Sequence, residues 1–470
     1  MAEKEHLARI GLIGLGVMGA NLALNIAEKG FRVAVNNRSP GRIHALMEQA
    51  GDLAANLVPC EDIGSLVSAL EKPRAIILMI KAGRAVDQQI EALVPHLEKG
   101  DIIIDAGNAD YHDTRRRARA LAERGIDLIG MGVSGGAEGA RHGPSIMAGG
   151  PKRAWNAVRD VIEAIAARFN GEPCAALVGP DGAGHFVKTV HNGIEYADMQ
   201  MIAEIYGILR DGEKRPANAI GRLFEAWNEG PLQSYLIEIT AKILQTRDPE
   251  TGEWIVDVID DSAGQKGTGR WTVIEALKLG EAPSAIEAAV DARVWSAMKA
   301  ARKTGEELYP PQKDLAPALL EADMENALLA GRIIAHGQGF SLMRAGSEAH
   351  DWDLDLEVIA KIWRAGCIIR SGLLDEIAAA AHEGLPHGQL IFAPALAARL
   401  ADGRGALRRV VSSAMLQELP VPALGAALAA FESLRQGRGT ANLIQAQRDF
   451  FGQHGFARID GAQDQHGPWA

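Results

Sequence analysis

Hydrophobic residues in the first third of the chain fall into short solid blocks. The blocks are "IGLIG" from Ile10, "FRVAVNN" from Phe31, "AIILMI" over 75–80, "DIIIDAG" over 101–107 and "LIGMGV" over 128–133. Blocks of strand length with no polar alternation predict strands buried on both faces, as in a parallel sheet. Between them apolar residues recur at helical spacing, which predicts helices covering the sheet. From about residue 181 the pattern changes to long helical runs with few strand signals, continuing to roughly 440. The chain therefore divides into an α/β domain over 1–180, a large all-α domain over 181–440 and a tail over 441–470. The tail ends in polar, glycine-containing residues that cannot build a core alone, so it is either a disordered end or a segment docked on a partner.

The first strand and helix are joined by Gly14-x-Gly16-x-x-Gly19. The first glycine permits a tight turn, the second lets backbone approach a pyrophosphate, and the third lets helix and strand pack closely. Set between a strand and a helix, with a second strand after it, the motif predicts a Rossmann-like dinucleotide site. The second strand ends in Asn37-Arg38-Ser39, with no acid to bind the ribose hydroxyls. Arg38 suits a 2′-phosphate, with Asn37 and Ser39 as hydrogen-bond donors, which favours NADP over NAD. Ligands of a doubly wound sheet gather at the carboxyl ends of its strands, so Lys81 and Asn108 become candidates by position. Ser134-Gly135-Gly136 offers a hydroxyl and close backbone N–H groups, a receptor for a carboxylate.

"GHFVKTVHNGIEY" (184–196) begins the helical part. Lys188, His191, Asn192 and Glu195 stand at i, i+3, i+4 and i+7. At about 100° per residue they share roughly a 100° arc. Phe186, Val187, Val190 and Ile194 take the opposite and flanking faces. Such a quartet is either a solvated stripe or a functional face. Its chemical variety and the glycine entry "DGAG" favour the second. Further on, "DSAGQKGTGRWT" (261–272) interrupts the helices and places Lys266 and Thr268 between glycines, either an anion loop or an exposed turn.

Composition narrows the class. With 47% hydrophobic and 23% charged residues the chain is an ordinary globular protein. A net charge of −11 excludes a general nucleic-acid binder, and means that any anionic ligand requires a local cluster of Lys and Arg. Cys60, Cys174 and Cys367 lie far apart without metal spacing and predict buried thiols of a reduced compartment. The first residues lack the apolar core of a signal peptide, and no apolar run is of membrane-spanning length. The expectation is a soluble cytoplasmic enzyme without a metal.

Taken in order, "GLGVMGANLALN", "NNRS", "IILMIKAGRAVD", "GDIIIDAGN", "GVSGG…GARHGPSIM", "DGAGHFVKTVHNGIEYADMQ", "DSAGQKGTGRWT" and "ANLIQAQRDFFG" resemble one family, the decarboxylating 6-phosphogluconate dehydrogenases of the long form. The last three motifs carry most of the specificity. The resemblance implies oxidation of 6-phosphogluconate to ribulose 5-phosphate and CO2 with reduction of NADP, by a homodimer whose C-terminal tails reach across to the partner subunit. It assigns Lys188 as base and Glu195 as acid. His191, Asn192, Ser134, Gly135, Gly136 and Asn108 then contact substrate, and Met18 joins the cofactor set. Tyr196, Lys266, Thr268 and Arg293 hold the 6-phosphate, with Arg448 and His454 of the partner subunit. The chain departs from the family's usual pattern at Ala106, Ala109, Ala137 and Ala148, which puts the packing near the nicotinamide in question. Two other readings remain open at this point: a β-hydroxyacid dehydrogenase that does not decarboxylate, and a catalytically silent NADPH-binding protein.

Overall fold

The apolar blocks form strands whose alternate residues serve two different cores. The computed structural model of the chain describes residues 7–265, 267–310 and 318–469. Its strands are β1 (Ile10–Ile13), β2 (Val33–Asn36), β3 (Leu57–Pro59), β4 (Ala75–Leu78), β5 (Ile102–Asp105), β6 (Asp127–Val133), β7 (Ile146–Gly149), β8 (Arg168–Phe169), β9 (Glu172–Pro173) and β10 (Ala175–Gly179). Eight of them make one sheet in the order β3-β2-β1-β4-β5-β6-β7-β10, and β8 and β9 pair separately. Neighbours in the large sheet run parallel except β6 and β7, which are antiparallel. Ile10, Leu12, Val33 and Val35 pack on one side of the sheet, and Ile13, Ala34, Ile76 and Leu78 on the other. That is the two-residue alternation of a strand covered on both faces.

Register brings four strand ends level. Ile13 pairs with both Asn36 and Leu78, and Leu78 pairs with Asp105. The turns that begin at Gly14, Asn37, Met79 and Ala106 therefore leave one edge of the sheet together. Successive connections depart in opposite directions from β1 and β4, and the crevice between them is where such sheets bind ligands.

Helices dominate after residue 182, and the helix Ala183–Gly207 organises them. It lies against β6 and β7 on one side and against the helices Thr268–Lys278, Ser284–Ala297 and Glu321–His350 on others. Glycines set how near it comes. A Cβ at Gly132 of β6 would sit 2.5 Å from Lys188 Cβ, and one at Gly184 would collide with the backbone of Gly130, Gly149 and Met147. On the far side, Gly339 and Gly346 of the long helix leave space for Ile194 and Phe186. Two polar contacts also tie the halves together. Tyr111 Oη donates to Glu275 Oε2 at 2.7 Å, and Ser145 Oγ donates to the Ile362 carbonyl at 2.7 Å.

The tail is not a disordered end. It forms a helix, Ala441–Gly452, and then folds back through a bridge between Phe456 and Gln465. All three cysteines are buried and free. Among the described residues no helix is long and apolar enough to cross a membrane, and no three His, Cys, Asp or Glu side chains gather as metal ligands.

Gly184→Ala has no room for its methyl group and is expected to cost about 1–3 kcal/mol. The check is a lower urea midpoint at unchanged slope. An unchanged midpoint would mean that the helix lifts from the sheet without penalty.

Candidate active site

Four polar side chains leave one face of the helix Ala183–Gly207, yet that helix is covered almost all round. Lys188, His191 and Asn192 are buried, and the Glu195 side chain is 22% exposed. The Lys188 stem rests where Gly132 lacks a side chain. Its amine is 2.8 Å from Asn192 Oδ1, 3.1 Å from Ser134 Oγ and 3.2 Å from His191 Nδ1. His191 Nε2 is 3.3 Å from Ser134 Oγ, so hydroxyl, imidazole and amine form one connected set. Glu195 Oε2 stands 3.8 Å from His191 Nδ1 at the outer end.

Burial governs the protonation of all of them. It pulls the Lys188 amine below its ordinary 10.5, opposed by the charges of Glu195 and Cys367. The Cys367 thiol is itself pushed up to about 12 by burial, so at neutral pH it carries no charge and Glu195 is the effective counter-group. Burial also raises the Glu195 carboxyl above 4.5, with Lys188 and Arg293 pulling it down and Asp198 pushing it up. The His191 imidazole is held well below 6.5 by burial and then by the Lys188 charge, which keeps it neutral. An amine and a carboxyl on one helical face are thus driven toward each other in proton affinity. That is the arrangement general acid–base chemistry requires.

Two parts of this wall carry no sequence signal. Trp363 meets the His191 ring edge-on at 5.4 Å, and Cys367 donates to the Trp363 carbonyl at 2.9 Å. Both lie far along the chain in an irregular segment after the helix Leu356–Ile362. The signal for Gly132 was present in the glycine-rich strand, but nothing there named Lys188 as its neighbour.

Beyond Glu195 the face continues to Tyr196, which is buried. The Arg293 guanidinium lies over its ring at 3.7 Å from the centroid and donates to the Gly264 carbonyl at 3.2 Å. Thr268 opens the helix Thr268–Lys278, and Gly269 lets the Tyr196 ring approach. Tyr196, Thr268 and Arg293 are therefore neighbours, whereas Lys266 lies outside the described residues. Arg448 and His454 are not brought to this place. They stay within the tail, where Arg448 donates to Gln445 Oε1 at 3.3 Å.

At the sheet edge, Gly14 has φ of 103° and a Cβ there would meet Met79 and Ile80, while a Cβ at Gly19 would strike the Gly14 carbonyl. A Cβ at Gly16 meets nothing within 4 Å. Packing therefore requires the first and third glycines and leaves open space at the second, which fits a pyrophosphate laid against the backbone. Met18 is partly buried on the core beneath. Arg38 is exposed and forms no ion pair among the described residues, as a residue awaiting a 2′-phosphate would be. Asn37 has a structural part besides its expected role as a donor. Its Oδ1 accepts from Leu15 N at 2.9 Å and its Nδ2 donates to the Ser39 carbonyl at 3.1 Å, so it braces the glycine turn. Ser39 precedes the helix Pro40–Ala50, and Lys81 and Asn108 are exposed in the turns after β4 and β5. Ser134 ends β6 in a buried position. Gly135 and Gly136 follow with positive φ, and the Gly135 site is pressed against the Gly366 carbonyl. Ala106, Ala109 and Ala148 are buried, and Ala137 is exposed.

Comparison with known proteins bears on this geometry over nearly the whole chain. Residues 9–179 match the NAD binding domain of 6-phosphogluconate dehydrogenase, and 184–469 match its C-terminal domain. The chain belongs to the 6-phosphogluconate dehydrogenase family. It is 48% identical to the NADP(+)-dependent, decarboxylating enzyme of Bacillus subtilis over 98% of this chain and 99% of that one. With the decarboxylating enzyme of Escherichia coli it shares 46% identity over the same proportions. A solved Plasmodium falciparum 6-phosphogluconate dehydrogenase superposes with a TM-score of 0.94 at 42% identity, covering 98% of this chain and all of the other. That enzyme was solved alone, with its cofactor NADP+ and with its substrate 6-phosphogluconate.

The lowered proton affinity of Lys188 has a consequence for stability. Folding disfavours its proton, so the penalty is full below the lowered folded value and fades as pH rises from there to the ordinary 10.5. Lys188→Met is expected to raise the thermal midpoint at pH 7, with an advantage that shrinks toward pH 10. A constant difference between the two proteins across that range would contradict a desolvated amine.

Proposed function

We propose that this chain oxidises 6-phosphogluconate at C3 with NADP+, releases C1 as CO2 and delivers ribulose 5-phosphate. The single observation that carries the reading is the buried Lys188 amine and the raised Glu195 carboxyl on one helical face, beside the Tyr196 and Arg293 pair. Bound NADP+ supplies the acceptor for the hydride that leaves C3. Lys188, whose proton burial disfavours, takes the proton of the C3 hydroxyl once it is in its neutral form, and Ser134 and Asn192 hold its amine in place. The ammonium so formed faces the new carbonyl oxygen and stabilises the negative charge that gathers there as the C1–C2 bond breaks. The bonding pair passes into the C2=C3 double bond of an enediolate, its charge on the C3 oxygen, while C1 departs as CO2. Glu195 then gives its proton to C2, the carbon that becomes C1 of the product. His191 stays neutral and offers hydrogen bonds to substrate hydroxyls without competing for the proton.

In this reading residues 1–180 bind NADP and residues 181–440 bind substrate and form the dimer. Asn108, Ser134, Gly135 and Gly136 receive the carboxylate end of the substrate. The 6-phosphate lies among Tyr196, Lys266, Thr268 and Arg293, joined by Arg448 and His454 of the partner subunit. Residues 441–470 cross over to supply those two. Supporting the exchange, the tail's hydrogen bonds close within itself and it exposes Leu443, Ile444, Phe450 and Phe451. The enzyme works in the cytoplasm, where its thiols stay reduced.

The test is NADP+ reduction with 6-phosphogluconate, followed together with CO2 release. Lys188→Ala is expected to lower NADPH formation roughly 100- to 10,000-fold, and Glu195→Ala to spare oxidation while slowing release of ribulose 5-phosphate. NADPH without CO2 from the unaltered chain would point to a β-hydroxyacid dehydrogenase, and neither product to a silent binder. Arg38→Asp is expected to weaken NADP+ about tenfold or more while leaving NAD+ nearly unchanged, through loss of charge-assisted bonds to the 2′-phosphate. An unchanged preference ratio would remove Arg38 from the cofactor site.

A further inference from the structure

Most of the tail is exposed, but Asp449 and Gly455 are buried. Asp449, on the helix Ala441–Gly452, has 0% of its surface accessible. Its carboxylate collects four donors from the segment that follows. Oδ1 accepts from Gly455 N at 2.9 Å and stands 2.6 Å from His466 Nδ1, while Oδ2 accepts from Gly467 N at 2.8 Å and Trp469 Nε1 at 2.6 Å. The Asp449 carbonyl also takes the Gln453 N–H at 2.8 Å, where Gln453 turns the chain with φ of 50°. A pair of backbone bonds between Phe456 and Gln465, at 2.8 and 3.0 Å, closes the return. Residues 455–469 are thus looped around a single carboxylate.

Apart from the Phe450 ring against Trp469, at 5.6 Å between centroids, no apolar contact among the described residues supports that arrangement. The helix has 12 residues, short for stability in isolation, and its large apolar side chains face outward. A segment without a core is held by local polar bonds, and an ionised carboxylate is the strongest acceptor for them. It presents about four lone-pair sites and no donor, whereas an amide has one oxygen and turns an NH2 toward N–H groups. The two tail residues assigned to the substrate's phosphate flank this hub in sequence. Arg448 immediately precedes Asp449, and His454 immediately precedes Gly455, the first residue to donate to it.

We infer that Asp449 is a positioning residue for the phosphate clamp: it holds Arg448 and His454 at a preset separation on a hook that is shaped before it meets the partner subunit. This rests on the tail exchange of the proposed function. Asp449 itself does not touch substrate, and its effect passes through the two cationic neighbours.

The experiment uses full-length chains in four forms: unaltered, Asp449→Asn, Lys188→Ala and a deletion of 441–470. Alone, Asp449→Asn is expected to raise the KM for 6-phosphogluconate about tenfold or more and to leave NADP+ binding unchanged. Co-expressed under separate tags with Lys188→Ala, it is expected to regain activity. A mixed dimer pairs the intact Lys188 of one subunit with the intact tail of the other, so one of its two sites is whole. A wild-type KM for Asp449→Asn overturns the inference, and so does a soluble Asp449→Asn that gains nothing from the Lys188→Ala partner. If Asp449→Asn proves insoluble, Trp469→Phe decides, since it removes one donor and keeps a ring. A raised KM supports the hub, and an unchanged KM overturns it. Activity in the deletion variant would instead discard the tail exchange itself, whatever the point variants show.

Discussion

The close approach of the helix Ala183–Gly207 to β6 and β7 is the constraint on which the site depends. Glycines at 130, 132, 149 and 184 remove the side chains that would hold helix and sheet apart. Lys188 is therefore laid against a strand and drained of water. Had any of these positions carried a methyl group, the helix would stand off and solvent would reach the amine. Desolvation is what lowers the proton affinity of the amine, so a packing feature becomes an acid–base property without any further device.

The same helix arranges two demands along its length. Its inner end is dry and tightly bonded, with Lys188, His191, Asn192 and Ser134 in contact. Its outer end opens toward Tyr196 and Arg293, where Glu195 is partly exposed. In the proposed reaction, oxidation calls for a base at a fixed place, and the inner end holds an amine whose proton burial disfavours. Protonation of a product that must then leave is better served by a carboxyl near the opening. The overall charge of −11 would repel both NADP+ and a phosphorylated sugar acid. Local cations, Arg38 at the sheet edge and Arg293 above Tyr196, act over distances at which that distant charge is screened.

Much of the architecture is legible in residue patterning. Solid apolar blocks identify the strands because burial on both faces leaves no polar position. The glycine triad identifies the first turn, since Gly14 and Gly19 are demanded by packing and Gly16 by open space. The face of Lys188, His191, Asn192 and Glu195 is legible from helical periodicity alone. Other parts are silent. Trp363 and Cys367 reach the site from a segment without regular spacing, and contacts between residues so far apart in the chain leave no periodic trace. Asn37 shows a different limit. Its chemistry suits a ligand donor, but its bonds to Leu15 and Ser39, which brace the turn, could not be read from the sequence, because partner choice depends on geometry at the scale of a hydrogen bond. The tail composition suggested no core, and there is none. Its shape comes instead from one buried carboxylate.

By itself the sequence determined which residues share an element and which face they occupy, because those relations follow from the 3.6- and 2-residue periods of helix and strand. It also determined the turn chemistry, since the positive φ at Gly14 favours glycine. Tertiary structure decided which faces meet and how closely. That choice converted a polar stripe into a buried amine and a partly exposed carboxyl, and drew Ser134, Trp363 and Cys367 around them. The reason is physical: proton affinity depends on the solvent excluded by every surrounding element, and no single stretch of chain contains that information.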